Sequence, residues 1–228
     1  EYTNHSSDTL HEIWFHLWPN GYKNRKTEFA KQELRNNKTK FHFAKEHERG
    51  AIDSLDFRVN NENATLEYAS NNPDMAKLHL KTALLPGQTV QISTPFRVKI
   101  PSSDFSRLGH SKQQYQLCQW YPKPAVYDRK GWHPMPYLNQ GEFYSEFASF
   151  KVSITLPENY VLAASGNMDA NPEEEQRILD NIRQTDEYLQ KGFPAKDTFP
   201  PSSAKLKTVT YRLDSVHDFA WFADKRYH

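Results

Sequence analysis

Val90-Gln91-Ile92-Ser93-Thr94-Pro95-Phe96-Arg97-Val98-Lys99-Ile100 is the stretch on which the fold turns. Val90, Ile92, Thr94, Phe96, Val98 and Ile100 alternate with Gln91, Ser93, Pro95, Arg97 and Lys99. A side-chain period of two puts alternate residues on opposite faces of a strand, one of them against a core. The Pro86-Gly87 turn signal precedes the run. The spacing predicts one long strand over 90–100.

The same period recurs in both directions. Ile13, Phe15 and Leu17 form one face of a segment whose other face is Trp14, His16 and Trp18. Leu55, Phe57 and Val59 repeat the pattern, as do Leu66 with Tyr68 and Leu78 with Leu80. Further on come Tyr115, Leu117 and Gln119, then Phe150, Val152, Ile154 and Leu156, then Val209, Tyr211 and Leu213. So many alternating runs, punctuated by Pro and Gly, predict an all-β fold: a β-sandwich of mostly antiparallel strands.

Helical signals interrupt this pattern. Residues 27–36 read as a short surface helix with Thr27 at the N-cap. Residues 171–191 read as a stronger one. Asn171 caps it, Pro172 suits the first position, and Glu173, Glu174 and Glu175 favour the positive end of the helix dipole. Ile178, Ile182, Thr185 and Leu189 form a narrow apolar stripe before Gly192 stops the run. A proline-rich loop, 193–203, follows. Helix and loop form an excursion at about 168–204 from one domain over 1–228, either a decorated surface hairpin or a docking element for another domain.

Composition narrows the function. The 29 basic and 28 acidic residues leave a formal charge of +1, and no basic block reads as a nucleic-acid footprint. No apolar run is long enough for a transmembrane segment. Mean hydropathy is low, at −0.87. The 5 Trp, 12 Tyr and 14 Phe nevertheless give more bulk than a disordered chain carries. One cysteine, Cys118, forms neither an internal disulfide nor a cysteine-based zinc site. Three formal glycosylation triplets begin at Asn4, Asn37 and Asn63, as chance allows in an Asn-rich chain.

The residues of catalysis do not assemble along the chain. H-E-x-x-H places two imidazoles one helical turn apart on a zinc ion. His11-Glu12 and His47-Glu48 begin that motif, but Phe15 and Ala51 stand where its second His belongs. His42 and His47 are five apart, on opposite faces of a strand. No G-x-S-x-G elbow or phosphate-cradling glycine run occurs. Glu142 and Glu146, four apart in a strand-like region, are the carboxylate pair weighed for glycosidase chemistry, and nothing marks either as perturbed. No residue of this chain is therefore assigned a catalytic role or a metal-ligand role.

The unusual stretch is 116–150, dense in aromatics and prolines. Such a loop is stiff. It can wall a substrate cleft, stack on sugars or cover one end of a sandwich.

Trp120-Tyr121-Pro122-Lys123-Pro124-Ala125-Val126-Tyr127-Asp128, Gly131-Trp132-His133, Gln140-Gly141-Glu142-Phe143-Tyr144 and His217-Asp218-Phe219-Ala220-Trp221-Phe222-Ala223 carry a resemblance. Tyr2-Thr3-Asn4, Phe15-His16-Leu17-Trp18-Pro19-Asn20 and Phe105-Ser106-Arg107-Leu108-Gly109-His110 extend it to nearly the whole chain except the helical excursion. In this order the motifs resemble the N-terminal domain of a bacterial branch of the aminopeptidase N-like (gluzincin) zinc metallopeptidases.

The resemblance implies a saddle-like β-sandwich that precedes a thermolysin-like catalytic domain. That domain carries G-x-M-E-N and H-E-x-x-H with a distant Glu, and it binds the zinc. Neither motif occurs in 1–228, so no cofactor is expected in this chain, and Zn is expected in the catalytic domain. The resemblance further implies that a strand or two precedes Tyr2 and that the catalytic domain begins near His228. Its implied partners are that domain and a peptide substrate, in the periplasm or at the cell surface. The family's N-terminal domain offers a Gln to the peptide's first residue. Gln119 matches that position, with Tyr121 beside it as the second substrate-binding candidate. Tyr121-Pro122-Lys123-Pro124 stands where the wider family has an Arg and a Pro-Cys-x-Asp run. Gln119 therefore keeps two readings, a substrate ligand or a strand-end residue bonding backbone. A stand-alone binding or adhesion module, or a scaffold from a degenerate peptidase, is the alternative for the whole chain.

Overall fold

The computed structural model describes residues 1–141, 143–192 and 198–227. Its strands pair antiparallel throughout the registers described, with few helices. The fold is all-β, of sandwich type, with a helical insertion. The chain divides into two compact units: Glu1–Gly109 with Gln119–Glu146, and His110–Cys118 with the chain from Phe147 onward.

The first unit is built on a sheet ordered Lys123–Pro124, Leu10–His16, Asn72–Leu84, Leu66–Ala69. Ile13 and Phe15 pair with Leu78 and Ala76 across the central ladder. They share a core with Leu10, Ile52, Phe57, Leu84 and Val90. Burying each large apolar side chain contributes about 1.5–3 kcal/mol.

The run 90–100 is not one strand. It is divided into Thr89–Val90, Ile92–Ser93 and Arg97–Lys99, each with a different partner strand. Pro95 has no N–H for a ladder. Thr94 Oγ1 donates to the Pro95 carbonyl and accepts the Asp56 amide, which turns the chain out of the sheet. The alternation held because each short piece still presents one side chain in two to the core. Leu55 and Phe57 likewise lie outside a strand, although Phe57 is buried.

A second, aromatic centre lies beside this sheet. Helices α1 (Glu28–Arg35) and α2 (Lys40–Phe43) and the 3-10 turn Trp18–Tyr22 bring together Tyr22, Phe29, Phe41 and Tyr137. Thr27 caps α1 as its sequence position suggests, accepting the Ala30 amide at 3.3 Å. Gly21 is required here, since a Cβ would stand 2.8 Å from Tyr137 Cβ.

The second unit is a small sandwich. One sheet runs Ala148–Pro157, Leu206–Val216, Asn167–Met168; the other runs Gly109–Ser111, Gln114–Leu117, Trp221–Asp224, Val161–Ala164. Ile154, Leu156, Val209 and Tyr211 from the first meet Leu162, Phe219 and Ala223. Helix α3 (Pro172–Lys191) leaves from Asn171, whose side chain accepts the Glu174 amide at 3.1 Å. Its apolar stripe does not enter this core: Ile182 and Leu189 are 51% and 68% exposed. The helix is held at its first turn instead, where Lys207 Nζ reaches both Glu174 oxygens at 2.6 and 2.7 Å. Part of the following loop, 193–197, lies outside the described residues, as does Glu142.

Candidate functional site

Gln119 follows the Gln114–Leu117 strand and takes a left-handed backbone, φ +56°. For a residue with a Cβ this costs about 1–2 kcal/mol. The residue is buried, and its Oε1 has no hydrogen-bond partner. A buried acceptor left unpaired costs roughly 1–3 kcal/mol more. Gln119 thus stands just past the strand in a left-handed backbone, with a side-chain oxygen that bonds nothing among the described residues. Strain and an orphaned acceptor coincide at the position that the sequence singles out.

The loop after it is anchored. Trp120 packs on Phe96 at 5.9 Å, and Tyr121, half-buried, meets the Trp120 ring edge-on at 5.4 Å. Lys123 and Pro124 then pair with His16 and Phe15, and Ala125 donates its amide to Trp14 O at 2.8 Å. Gln119 and Tyr121 therefore lie on one short segment tied to the central sheet. A groove of about 340 Å³ elsewhere in this unit is lined by Asn60, Glu62, Lys81 and Gln88 among others, and neither residue belongs to it.

Downstream, Val126–Asp128 and Gly131–His133 form a hairpin carrying Tyr127 and Trp132, 5.0 Å apart, with Tyr2 packed on Trp132. Burial, with Glu146 and Tyr127 adding, pushes the Tyr2 phenol up to about 12. His133 Nε2 lies 2.7 Å from Asp128 Oδ1, and that bond holds the Asp128 carboxyl below its ordinary range. His79 pairs with Glu67 in the same way at 2.8 Å. These contacts orient imidazoles; among the described residues no hydroxyl or thiol is hydrogen-bonded to either ring. Nor, among the described residues, does any group of three His, Cys, Asp or Glu side chains stand ready for a metal ion. His11 lies on a strand and His47 in a 3-10 turn, so neither His-Glu pair has the helix its motif needs.

Sequence alternation missed the polar layer behind the hairpin. His16 and Trp18, on the face opposite Phe15 and Leu17, are 1% exposed and stacked at 4.5 Å. Met135 and Phe143 cover Trp18, whose Nε1 donates to Met135 O at 3.2 Å and whose ring packs against Phe143 at 4.5 Å. Burial, with Lys123 beside it, pushes His16 down to about 3. Asp74, completely buried, is pushed up to about 6 by desolvation. The dense Pro-aromatic composition of 133–143 was the available signal that this segment packs rather than projects.

No protein-family model matches the chain. No curated protein matches it. Among solved structures it is similar to a two-domain M1 zinc metallopeptidase, crystallised as a mutant bound to L-arginine, at 11% identity and a TM-score of 0.43. The match covers 96% of this chain and 35% of that one, so the chain spans about a third of its length.

Proposed function

We propose that the chain is the substrate-side domain of a zinc-dependent aminopeptidase, non-catalytic by itself, which walls the active-site cleft and helps recognise the peptide N-terminus. In this reading the zinc and the general base belong to a catalytic domain of the same polypeptide, and no chemical step falls to these residues. Gln119 carries the reading. It matches the family's peptide-binding position, and it is held in a strained backbone with an acceptor that nothing in the described chain satisfies. A peptide α-ammonium is the donor such an oxygen lacks, and a charge-assisted bond of this kind contributes about 1.5–3 kcal/mol. Tyr121, on the same anchored loop, supplies a ring edge to the first side chain of the peptide.

The test assays the chain and the complete polypeptide side by side on aminoacyl chromogenic substrates. Chelator-sensitive turnover by the complete polypeptide alone supports the reading. Turnover by the chain itself, or tight glycan binding with no peptidase activity in either form, overturns it.

A further inference from the structure

Residues 134–138 join no helix, turn or sheet. Side chains take the backbone amides that a neighbouring strand would otherwise take. Met135 N–H donates to His16 Nε2 at 3.0 Å, Tyr137 N–H to Asp74 Oδ2 at 2.6 Å, and Asn139 N–H to Gln32 Oε1 at 2.8 Å. Pro134, before Met135, and Pro136, between Met135 and Tyr137, have no N–H to satisfy. The segment is a strap held at every second residue by acceptors from three different elements.

Two of the three acceptors titrate, and geometry fixes what each can do with a proton. His16 Nε2 accepts, so with the strap closed the ring is neutral and protonated on Nδ1. A proton on Nε2 removes the acceptor. Asp74 Oδ2 holds Tyr137, and Oδ1, like His16 Nδ1, is buried without a hydrogen-bond partner; the difference is that the second oxygen can take a proton while the first goes on accepting. A proton on Oδ1 leaves the strap bond in place.

We infer that His16 and Asp74 are a compensating proton pair that keeps the 133–140 strap closed from mildly acidic to neutral pH: on acidification the closed form takes its proton on Asp74, where the open form takes it on His16.

The electrostatics agree in sign. Burial and then Lys123 lower His16 to about 3, against a smaller opposing contribution from the His133 backbone. Burial raises Asp74 to about 6 against the amides that donate to it, with Glu28 of α1 adding to the rise. Further along the strap Glu33 accepts from Asn139 and pairs with Lys38 at 3.7 Å. With His16 depressed in the closed form, closure is favoured above its ordinary value near 6.5 and is lost as pH falls toward 3. With Asp74 raised, closure gains as pH falls through about 6 toward its ordinary value. From about pH 6 to 4 the two slopes oppose, one proton each, and nearly cancel. The inference is independent of the peptidase reading.

The experiment measures amide-exchange protection at Met135 and Tyr137 between about pH 7.5 and 4.5 in the wild-type chain, Asp74→Asn and His16→Gln. Wild-type protection changes less than about tenfold. Asp74→Asn leaves the His16 slope alone and loses protection on the order of a hundredfold on acidification. His16→Gln keeps an acceptor but not the titration, and gains on the order of tenfold. Two variants as flat as the wild type, or sloping in the same direction, overturn the inference. Should a variant not fold, NMR of the wild-type chain decides. An Asp74 carboxyl midpoint near 6, with His16 neutral as the Nδ1–H tautomer to about pH 4.5, agrees. A midpoint near 4, or a His16 ring that titrates near 6.5, contradicts it.

Discussion

The hydroxyls of Tyr22 and Tyr137 meet at 2.7 Å where neither residue is more than 1% exposed. Tyr22 donates to Tyr137; Tyr137 lies 3.0 Å from Ser106 Oγ, which donates to Asn139 Oδ1; Asn139 donates in turn to Glu33. The donors run in one direction, so each bond polarises the next. Burial, then the Tyr137 phenol, holds Tyr22 well above its ordinary range, so it stays a neutral donor.

Tyr137→Phe breaks this relay in the middle. It removes the acceptor of Tyr22 and the hydroxyl next to Ser106 at once. Tyr22→Phe removes the first donor and the oxygen that the Leu108 backbone and Ser106 face. Denaturant unfolding should show each change costing about 1–3 kcal/mol. A double-mutant cycle should give a coupling above about 0.5 kcal/mol; additive costs would remove the relay.

Helix α3 depends on one buried ion pair. Glu174 and Lys207 side chains are 5% and 12% exposed at 2.6 Å, and Arg177 bridges from Glu174 to Glu158. Lys207→Met leaves a buried carboxylate with Arg177 at 3.7 Å and should destabilise the chain by about 3–5 kcal/mol. Glu174→Gln, which keeps a polar contact, should cost less. Because Ile182 and Leu189 are exposed, loss of the anchor should show first as faster proteolysis within 178–191.

Gly166 sits at φ +85° between Val161–Ala164 and Asn167–Met168, and a Cβ there would come 2.3 Å from Arg212 O. Gly166→Ala combines left-handed strain with a clash against backbone. Thermal unfolding should register a loss of more than about 2 kcal/mol. At Gly87, φ +76° with nothing within 4 Å of a Cβ, Ala carries the backbone term alone and should cost visibly less.

What the sequence revealed follows from how local each cause is. Caps are local, and Thr27 and Asn171 were readable as the residues that start α1 and α3. Alternation reports which side chains are buried, not whether the backbone between them is continuous, so Val90–Ile100 read as one strand although Pro95 breaks it. His16 and Trp18 read only as the face opposite Phe15 and Leu17, because what covers them, Met135 and Phe143, comes from more than a hundred residues away. The excursion helix was visible from its cap, but the Lys207 partner that holds it depends on the register of the Leu206–Val216 strand. Gln119 was singled out through its place in a motif. Its left-handed backbone and unpaired oxygen have no signature in composition or period.

Those two properties of Gln119 frame the central test. Gln119→Ala in the complete polypeptide removes a buried oxygen that makes no bond, so the stability of the fold should not fall by more than about 1 kcal/mol. Steady-state kinetics on an aminoacyl substrate should then show kcat/KM lowered about tenfold or more, the equivalent of one charge-assisted hydrogen bond. An unchanged kcat/KM in a folded variant would contradict the account and leave Gln119 a structural residue.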